Sequence, residues 1–255
     1  MTVYLIGWGI YDIPLFNKRI EDIIQSADEV YFERYTNPYP YGNRVIEKLI
    51  GRKCRELKRE DLEERSLDIL LRGKDRKIVI ITFGDPLIAT THQYLIIEAA
   101  KYGIEVKIIH SASAVCSAMG ESGLHIYKFG PISTVIRPKK ASSKRCYDVL
   151  IDNLKRGLHT LILLEYDYSE NYFMHPTEAI KILKSYDKYN LLREDYPIIV
   201  ICGLGWANEF KRAVRLRQIL NKSIEIPKDI PCILIFPGEL HFTEEEYMRL
   251  ILGLE

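Results

Sequence analysis

The sequence predicts an α/β protein of two domains, the first built on a parallel sheet. Three observations lead to that reading. Apolar, β-branched runs recur along the chain, and unbroken runs of this kind fit strands buried on both faces. Amphipathic stretches of helical period lie between them. Past residue 109 a second series of strands and helices begins with no Gly/Ser-rich linker before it, so the domains are expected at 1–109 and 110–255. A chain of 255 residues is long enough to bury a core in each.

Val3–Ile6 reads as the first strand and is followed by Gly7-Trp8-Gly9-Ile10-Tyr11-Asp12. Leu15 to Ala27 then carries apolar residues at Leu15, Phe16, Ile20, Ile23 and Ile24, one face of a helix. Strand, glycine loop and helix form a phosphate-binding layout, although the GxG lacks the third glycine of GxGxxG. A tight turn that lets the helix approach the sheet explains the same glycines. Glu29–Glu33 is the second strand, and the loop from Arg34 to Asn43 is rich in Tyr, Pro and Asn. Val45–Ile50 is a short helix stopped by Gly51. Cys54–Leu57 reads as the third strand, and Arg59 to Arg72 is a charged amphipathic helix. Lys77–Ile81 is the fourth strand, Gln93–Lys101 a helix ended by Gly103, and Ile104–Ile109 the fifth strand. The alternation implies parallel pairing with right-handed crossovers.

Gly84-Asp85-Pro86 stands where the fourth strand gives way to a helix, the edge at which open α/β sheets bind ligands. Pro86 suits a first helical turn. Asp85 either caps that helix or faces the crevice. After the fifth strand, His110 to Ala118 is small and rich in hydroxyls. Ser113 there is a hydrogen-bond donor to a ligand or a helix N-cap. In the second half, Ser133–Ile136, Thr160–Leu164, Pro197–Ile201 and Cys232–Phe236 are strands. Helices are expected near Tyr147–Arg156, Pro176–Tyr186 and Asn208–Leu220, with a last one after Thr243, where Thr243 and Glu246 fit a capping box.

Composition narrows the function classes. With 36 basic and 35 acidic residues there is no global excess to drive sequence-independent nucleic-acid binding. The basic clusters Arg137-Pro138-Lys139-Lys140 and Lys144-Arg145 read as solvated loop. Five scattered cysteines, none in a CxxC pair, argue against a disulfide framework and a zinc site. Six dispersed histidines form no HExxH, so no metal is expected. The segment beginning at Met1 lacks the basic region and cleavage site of a signal peptide. No apolar run approaches a membrane span. The setting expected is soluble, reducing and cytoplasmic.

Several segments taken together resemble one family. They are Tyr4–Asp12, Gly84–His92, Gly123–Gly130, Tyr147–Leu150, Arg156–Leu161 and Pro237–His241. In order and spacing they are similar to the tetrapyrrole-methylase-like group of S-adenosylmethionine-dependent methyltransferases, and within it to the archaeal diphthine synthases. The resemblance implies two α/β domains, an N-terminal parallel sheet and a C-terminal mixed sheet, with the cofactor held folded in the cleft between them. It implies methylation of the aminocarboxypropyl-modified histidine of translation elongation factor 2 to give diphthine, and a homodimer. No nucleic acid or membrane is an expected partner. Carried over residue by residue, the cofactor contacts fall on Ile10, Asp85, Ile88, Ser113, Ala114 and Leu164. Two positions depart from the family pattern. Gly203-Leu204-Gly205-Trp206-Ala207 stands where relatives often read Ala-Arg-Ala-Gly-Ser, and Cys232 where they have His after Pro. The contacts there are placed at Gly205 and Cys232.

Methyl transfer from a sulfonium is an in-line displacement with a neutral leaving group, so alignment and a fitted polar environment are the protein's main contributions. No His-Asp-Ser constellation is expected. Tyr11, Asp12 and His92 are the polar candidates for substrate contact: a neutral His92 imidazole accepts an amine proton near neutral pH, a helix-face histidine with a structural hydrogen bond explains that residue equally, and Asp12 is alternatively the cap of the first helix. Other interpretations are a tetrapyrrole (precorrin/uroporphyrinogen-type) methyltransferase, a nicotinamide oxidoreductase suggested by Gly7-Trp8-Gly9 alone, and a catalytically silent elongation-factor-binding relative.

Overall fold

The structure is a computed structural model that describes residues 2–14, 16–188 and 190–255. Met1 and Leu15, which the sequence places at the first strand and helix, lie outside the described residues. The chain divides into two compact units, Met1–Val115 and Cys116–Glu255.

The first unit runs β1 (Thr2–Gly7), α1 (Lys18–Gln25), β2 (Glu29–Glu33), α2 (Asn43–Ile50), β3 (Arg55–Leu57), α3 (Arg59–Glu63), α4 (Ser66–Arg72), β4 (Ile78–Thr82), α5 (Gln93–Lys101) and β5 (Glu105–Ile109). Its five strands are all parallel, in the order β3-β2-β4-β1-β5. Every residue of β4 is buried, as expected of a β-branched run covered on both faces. On one face Val3, Leu5, Ile78 and Ile80 pack with Leu62, Leu70, Leu95 and Ala99 of α3 to α5. On the other, Ile6, Phe32, Val79 and Ile81 pack with Ile24 of α1 and Ile46 of α2.

A further helix, α6 (Ala114–Glu121), follows β5. The second unit continues through β6 (Ser133–Val135), α7 (Lys144–Lys155), β7 (Thr160–Leu164), the short β8 (Tyr166–Asp167) and β9 (Tyr172–Phe173), α8 (Pro176–Tyr186), β10 (Pro197–Cys202), β11 (Phe210–Arg215), α9 (Leu216–Leu220), β12 (Cys232–Phe236) and α10 (Phe242–Leu250). The sheet order is β11-β10-β12-β7-β6. Only β6 and β7 pair in parallel, so this sheet is mixed. Ile162, Val200, Leu234 and Phe236 share a core with Leu150 of α7 and Leu183 of α8.

The structure corrects several local expectations. Arg59–Arg72 is two helices, because the Glu60 carbonyl takes the N–H of both Glu64 and Arg65 and the ladder loses its register there. Gly-Asp-Pro does not open a helix. Residues 86–92 form a turn with Ala89 at φ 58°, and α5 starts at Gln93. The start of α1 is capped by Asn17, whose Oδ1 accepts from Ile20 N at 3.0 Å, and not by Asp12. Asn208–Leu220 is largely the strand β11, which pairs with β10 from Pro197–Arg215 to Cys202–Phe210. Its backbone satisfies the outer edge of β10, and that overrides the helical spacing of its side chains. The last helix is capped by His241 with Glu244, each two residues earlier than Thr243 and Glu246. Arg137 is buried rather than solvated.

A disulfide is also present. Cys202 and Cys232 are register partners on antiparallel β10 and β12, and their sulfurs are bonded. Sequence spacing hides this pair, because the register of the sheet brings the two residues together.

Candidate functional site

In the first unit β1 lies between β4 and β5, although its next strand in sequence is β2. That reversal of strand order is a topological switch point. In open α/β sheets ligands bind outside the carboxyl ends of the strands at such a point. The three loops leaving β1, β4 and β5 carry Ile10, Asp85 with Ile88, and Ser113 with Ala114.

The first two loops are stitched together by backbone. Gly9 N–H donates to Gly84 O at 3.2 Å and Gly84 N–H returns to Gly9 O at 2.9 Å. Both residues have positive φ, 93° and 83°. A Cβ on Gly84 would stand 2.8 Å from the Asn37 amide, and one on Gly7 2.7 Å from Gly84 O. Gly9 and Gly84 therefore need glycine for conformation and Gly7 needs it for space. Beneath them Trp8 is buried against Phe16, Tyr39 and Phe83, and its Nε1–H donates to Tyr11 O at 3.0 Å.

Asp85 joins the second loop to the third. Its Oδ1 accepts from Leu87 N–H at 2.9 Å. Its Oδ2 accepts from Ser111 N–H at 3.1 Å and from His110 Nδ1 at 2.8 Å. The side chain is buried, so these charge-assisted bonds are strong. His110 and Ser111 were not among the sequence candidates. Their small, hydroxyl-rich surroundings attracted notice, but no sequence pattern shows which carboxylate they meet. Ser113 sits just before α6, and its Oγ accepts from Val115 N–H at 3.2 Å, an N-cap contact. Ile88 is 40% exposed and Ile10 is buried.

Of the polar candidates, Tyr11 is 43% exposed. Asp12 is half-buried. Its carbonyl accepts from Tyr39 Oη at 2.6 Å and its carboxylate from Tyr41 Oη at 3.3 Å. His92 is buried to 1% exposure, which leaves its imidazole no surface to offer a substrate. Its Nδ1 lies 3.0 Å from Pro86 O and its Nε2 3.9 Å from Glu33 Oε1.

In the second unit, β7 runs antiparallel to β12, and the pair Leu163–Ile233 places Leu164 and Cys232 at the same end of the sheet. Cys202 joins them there through the register of β10, and the turn carrying Gly205 follows it. Gly205 has φ 81° and donates its N–H to Glu209 Oε2 at 2.7 Å. Leu164 is followed by Glu165, whose Oε1 accepts from Arg137 Nη2 at 2.8 Å and whose Oε2 accepts from Arg137 N–H at 2.6 Å. The same guanidinium reaches Asp167 and Glu170 and lies 3.6 Å from the centre of the Tyr172 ring. The basic cluster read from the sequence is therefore neutralised internally. Lys139 pairs with Glu170, Lys140 with Asp167 and Lys144 with Asp148.

Burial pushes the Cys146 thiol up to about 11 and the Cys54 thiol up to about 12, so neither supplies a thiolate at neutral pH. Among the described residues no cluster of His, Cys, Asp and Glu could hold a metal ion, and no helix is long and apolar enough to cross a membrane. The site presents side-chain-free turns, an exposed isoleucine and a helix entry. That suits a flat organic ligand lying against backbone.

The family model described as Tetrapyrrole (Corrin/Porphyrin) Methylases matches residues 2–220. A diphthine synthase of Methanocaldococcus jannaschii is 34% identical over 252 residues, 96% of each chain. One from Methanothermobacter thermautotrophicus is 33% identical, covering 98% of this chain and 96% of the relative. A crystal structure of a diphthine synthase superposes with a TM-score of 0.87 at 28% identity, covering 100% of this chain and 97% of that one.

Proposed function

The chain belongs to the tetrapyrrole methylase family, among its diphthine synthases, and is an S-adenosylmethionine-dependent methyltransferase of diphthamide biosynthesis; from that premise we propose its substrate and its site. The substrate is the aminocarboxypropyl-modified histidine of translation elongation factor 2, methylated on its amino group to give diphthine. The observation that supports this most is likeness along nearly the whole chain to archaeal diphthine synthases.

The proposed cofactor contacts are Ile10, Asp85, Ile88, Ser113 and Ala114 in the first unit and Leu164, Gly205 and Cys232 in the second. When bound, S-adenosylmethionine supplies a methyl group on a sulfonium with a neutral leaving group. The residues present fit it. Glycine turns admit it close to backbone, and the disulfide at Cys232 occupies only the side chain, leaving that residue's backbone groups to make the contact. Asp85 acts mainly by fixing the loop after β5, because its oxygens already accept three donors. Tyr11 and Asp12 are the proposed substrate-side residues. Their loop is anchored by Trp8 and Tyr39, so alignment of the amine is the contribution expected of them. A homodimer in the cytoplasm completes the reading, with no metal, nucleic acid or membrane involved.

The test is mass spectrometry of elongation factor 2 carrying the aminocarboxypropyl-histidine, after incubation with the protein and S-adenosylmethionine. Mass gains in methyl steps are expected. No gain would remove the reading, and methylation of a porphyrinoid instead would replace it.

A further inference from the structure

We propose that His92 and Glu33 form a buried positioning dyad that clamps one peptide plane of the Gly84-Asp85-Pro86 turn, with His92 donating its Nδ1 proton to the Pro86 carbonyl and one further proton carried by the Nε2–Glu33 pair. The inference rests on the reading of Asp85 as part of the cofactor site.

The peptide joining Pro86 to Leu87 is held at both ends. Its carbonyl lies 3.0 Å from His92 Nδ1 and accepts from Thr90 Oγ1 at 2.7 Å, while its N–H donates to Asp85 Oδ1 at 2.9 Å. Residues 86–92 are not helical, so this carbonyl has no ladder partner to fix it. Rotating the plane would strip Asp85 of one donor and swing Ile88, the next residue but one. His92 therefore acts on the proposed site through a single peptide unit.

The proton count follows from the contacts. A carbonyl has no proton to give, so Nδ1 carries one. Nε2 then faces Glu33 Oε1 at 3.9 Å, with no hydrogen-bond partner. Both side chains are fully buried. A bare Nε2 lone pair against an ionised carboxylate would be repulsive at that depth. Burial itself pushes the Glu33 carboxyl up, against the Thr36 N–H and hydroxyl that bond its oxygens. One proton on the pair removes the conflict, whether it rests on Nε2 as an ion pair or on Oε1 as a neutral acid. Thr82, the register partner of Glu33, has its hydroxyl buried and unpaired, and the Tyr35 ring stands edge-on to the imidazole at 6.3 Å. The dyad is thus enclosed by the carboxyl ends of β2 and β4 and the start of α5.

Two substitutions separate the two ring nitrogens. H92N places an amide N–H where Nδ1–H stands and keeps the Pro86 bond. H92Q places its amide near the position of Nε2 and leaves Pro86 O without that donor. Calorimetric titration with S-adenosylmethionine should show affinity reduced about tenfold or more in H92Q and recovered to within about threefold in H92N, the size of one lost hydrogen bond. The KM for elongation factor 2 should be the same in both. Hydrogen exchange at the Leu87 amide should be faster in H92Q than in H92N or the wild type. The ¹⁵N spectrum of the wild-type protein should show His92 with Nδ1 protonated. A bare Nδ1, equal affinity in the two variants, or unchanged Leu87 exchange in H92Q would overturn the dyad. Failure of the wild-type protein to bind S-adenosylmethionine would instead remove the functional reading, and the spectrum and the exchange rates would still decide the dyad.

Discussion

His159 and Glu244 meet at 3.0 Å with neither side chain exposed to solvent. Gly238 N–H donates to His159 Nδ1 at 2.9 Å, so the proton of the neutral ring sits on Nε2 and is given to Glu244 Oε1. Glu244 also accepts from His125 N–H and His241 N–H, both at 2.7 Å, and from the Lys128 ammonium at 2.6 Å. Gly123–Gly130, Arg156–Leu161 and Pro237–His241, three of the segments by which the sequence resembles its family, converge on this one carboxylate. Within the second unit they form scaffold.

That convergence sets the acid response. Burial would raise the Glu244 carboxyl, but its N–H donors at His241 and His125, with Lys128 and His159, hold it at about 2 against an ordinary value near 4.5. A depressed carboxyl stabilises the fold above its unfolded value and loses that contribution as pH falls towards about 2, at most about 3 kcal/mol. Burial likewise lowers His159 from 6.5, so its contribution begins to fade below that pH. Thermal unfolding followed from pH 7 to pH 2 should show a falling melting temperature, steepest below about 4.5. E244Q should flatten that lower part while costing about 3 kcal/mol at neutral pH.

Asp85→Ala should weaken S-adenosylmethionine binding more than it weakens the fold. The change removes the acceptor for Leu87, Ser111 and His110 together, so the loops after β4 and β5 lose their common tie. A stability loss of about 1–3 kcal/mol is expected, with at least a tenfold loss of affinity. Calorimetric titration beside thermal unfolding separates the two. Unchanged affinity would take Asp85 out of the site.

Gly238→Ala tests the scaffold by shape alone. An added Cβ would stand 2.4 Å from the Gly157 carbonyl oxygen, an atom of backbone that has no rotamer to yield. A loss of about 2–4 kcal/mol in denaturant unfolding is expected, with full cooperativity retained. A neutral result would mean that the Arg156–Leu161 and Pro237–His241 segments do not pack as described.

Thiol titration after unfolding without reductant should find three reactive thiols, Cys54, Cys116 and Cys146, with Cys202 and Cys232 closed to reagent. The bond spans a sequence separation of 30 residues, for which loop-closure entropy predicts about 3–4 kcal/mol. Reduction, or C202A, should lower the melting temperature accordingly. Five reactive thiols after unfolding in the absence of reductant would show the bond to be open.

Much of the first unit is legible in sequence because its strands are buried on both faces, which writes them as uninterrupted apolar runs such as Ile78–Ile81. The second unit is less so. β11 carries Lys211 and Arg212 on an edge and reads as helix until the open side of β10 is known. The site divides in the same way. Glycine and proline mark the corners at Gly9 and Gly84-Asp85-Pro86, because their backbone needs are local. Two of the three partners of Asp85, the Ser111 N–H and the exposed His110 imidazole, lie on another strand's loop, and no spacing rule reaches them. His92 reads equally as a substrate-side base or a structural histidine until its burial decides for the second. Cys232 reads as a lone thiol until the register sets it opposite Cys202.

The reciprocal Gly9–Gly84 bonds also bear on how the protein folds. They close an antiparallel bridge just past the parallel β1–β4 ladder, between two residues separated in sequence by β2, β3 and their helices. Pairing over such a separation is slow compared with helix formation. The ligand-facing turns should therefore mature late. In a refolding time course, helical circular dichroism should return before the ability to bind S-adenosylmethionine, and the simultaneous return of both signals would count against that order.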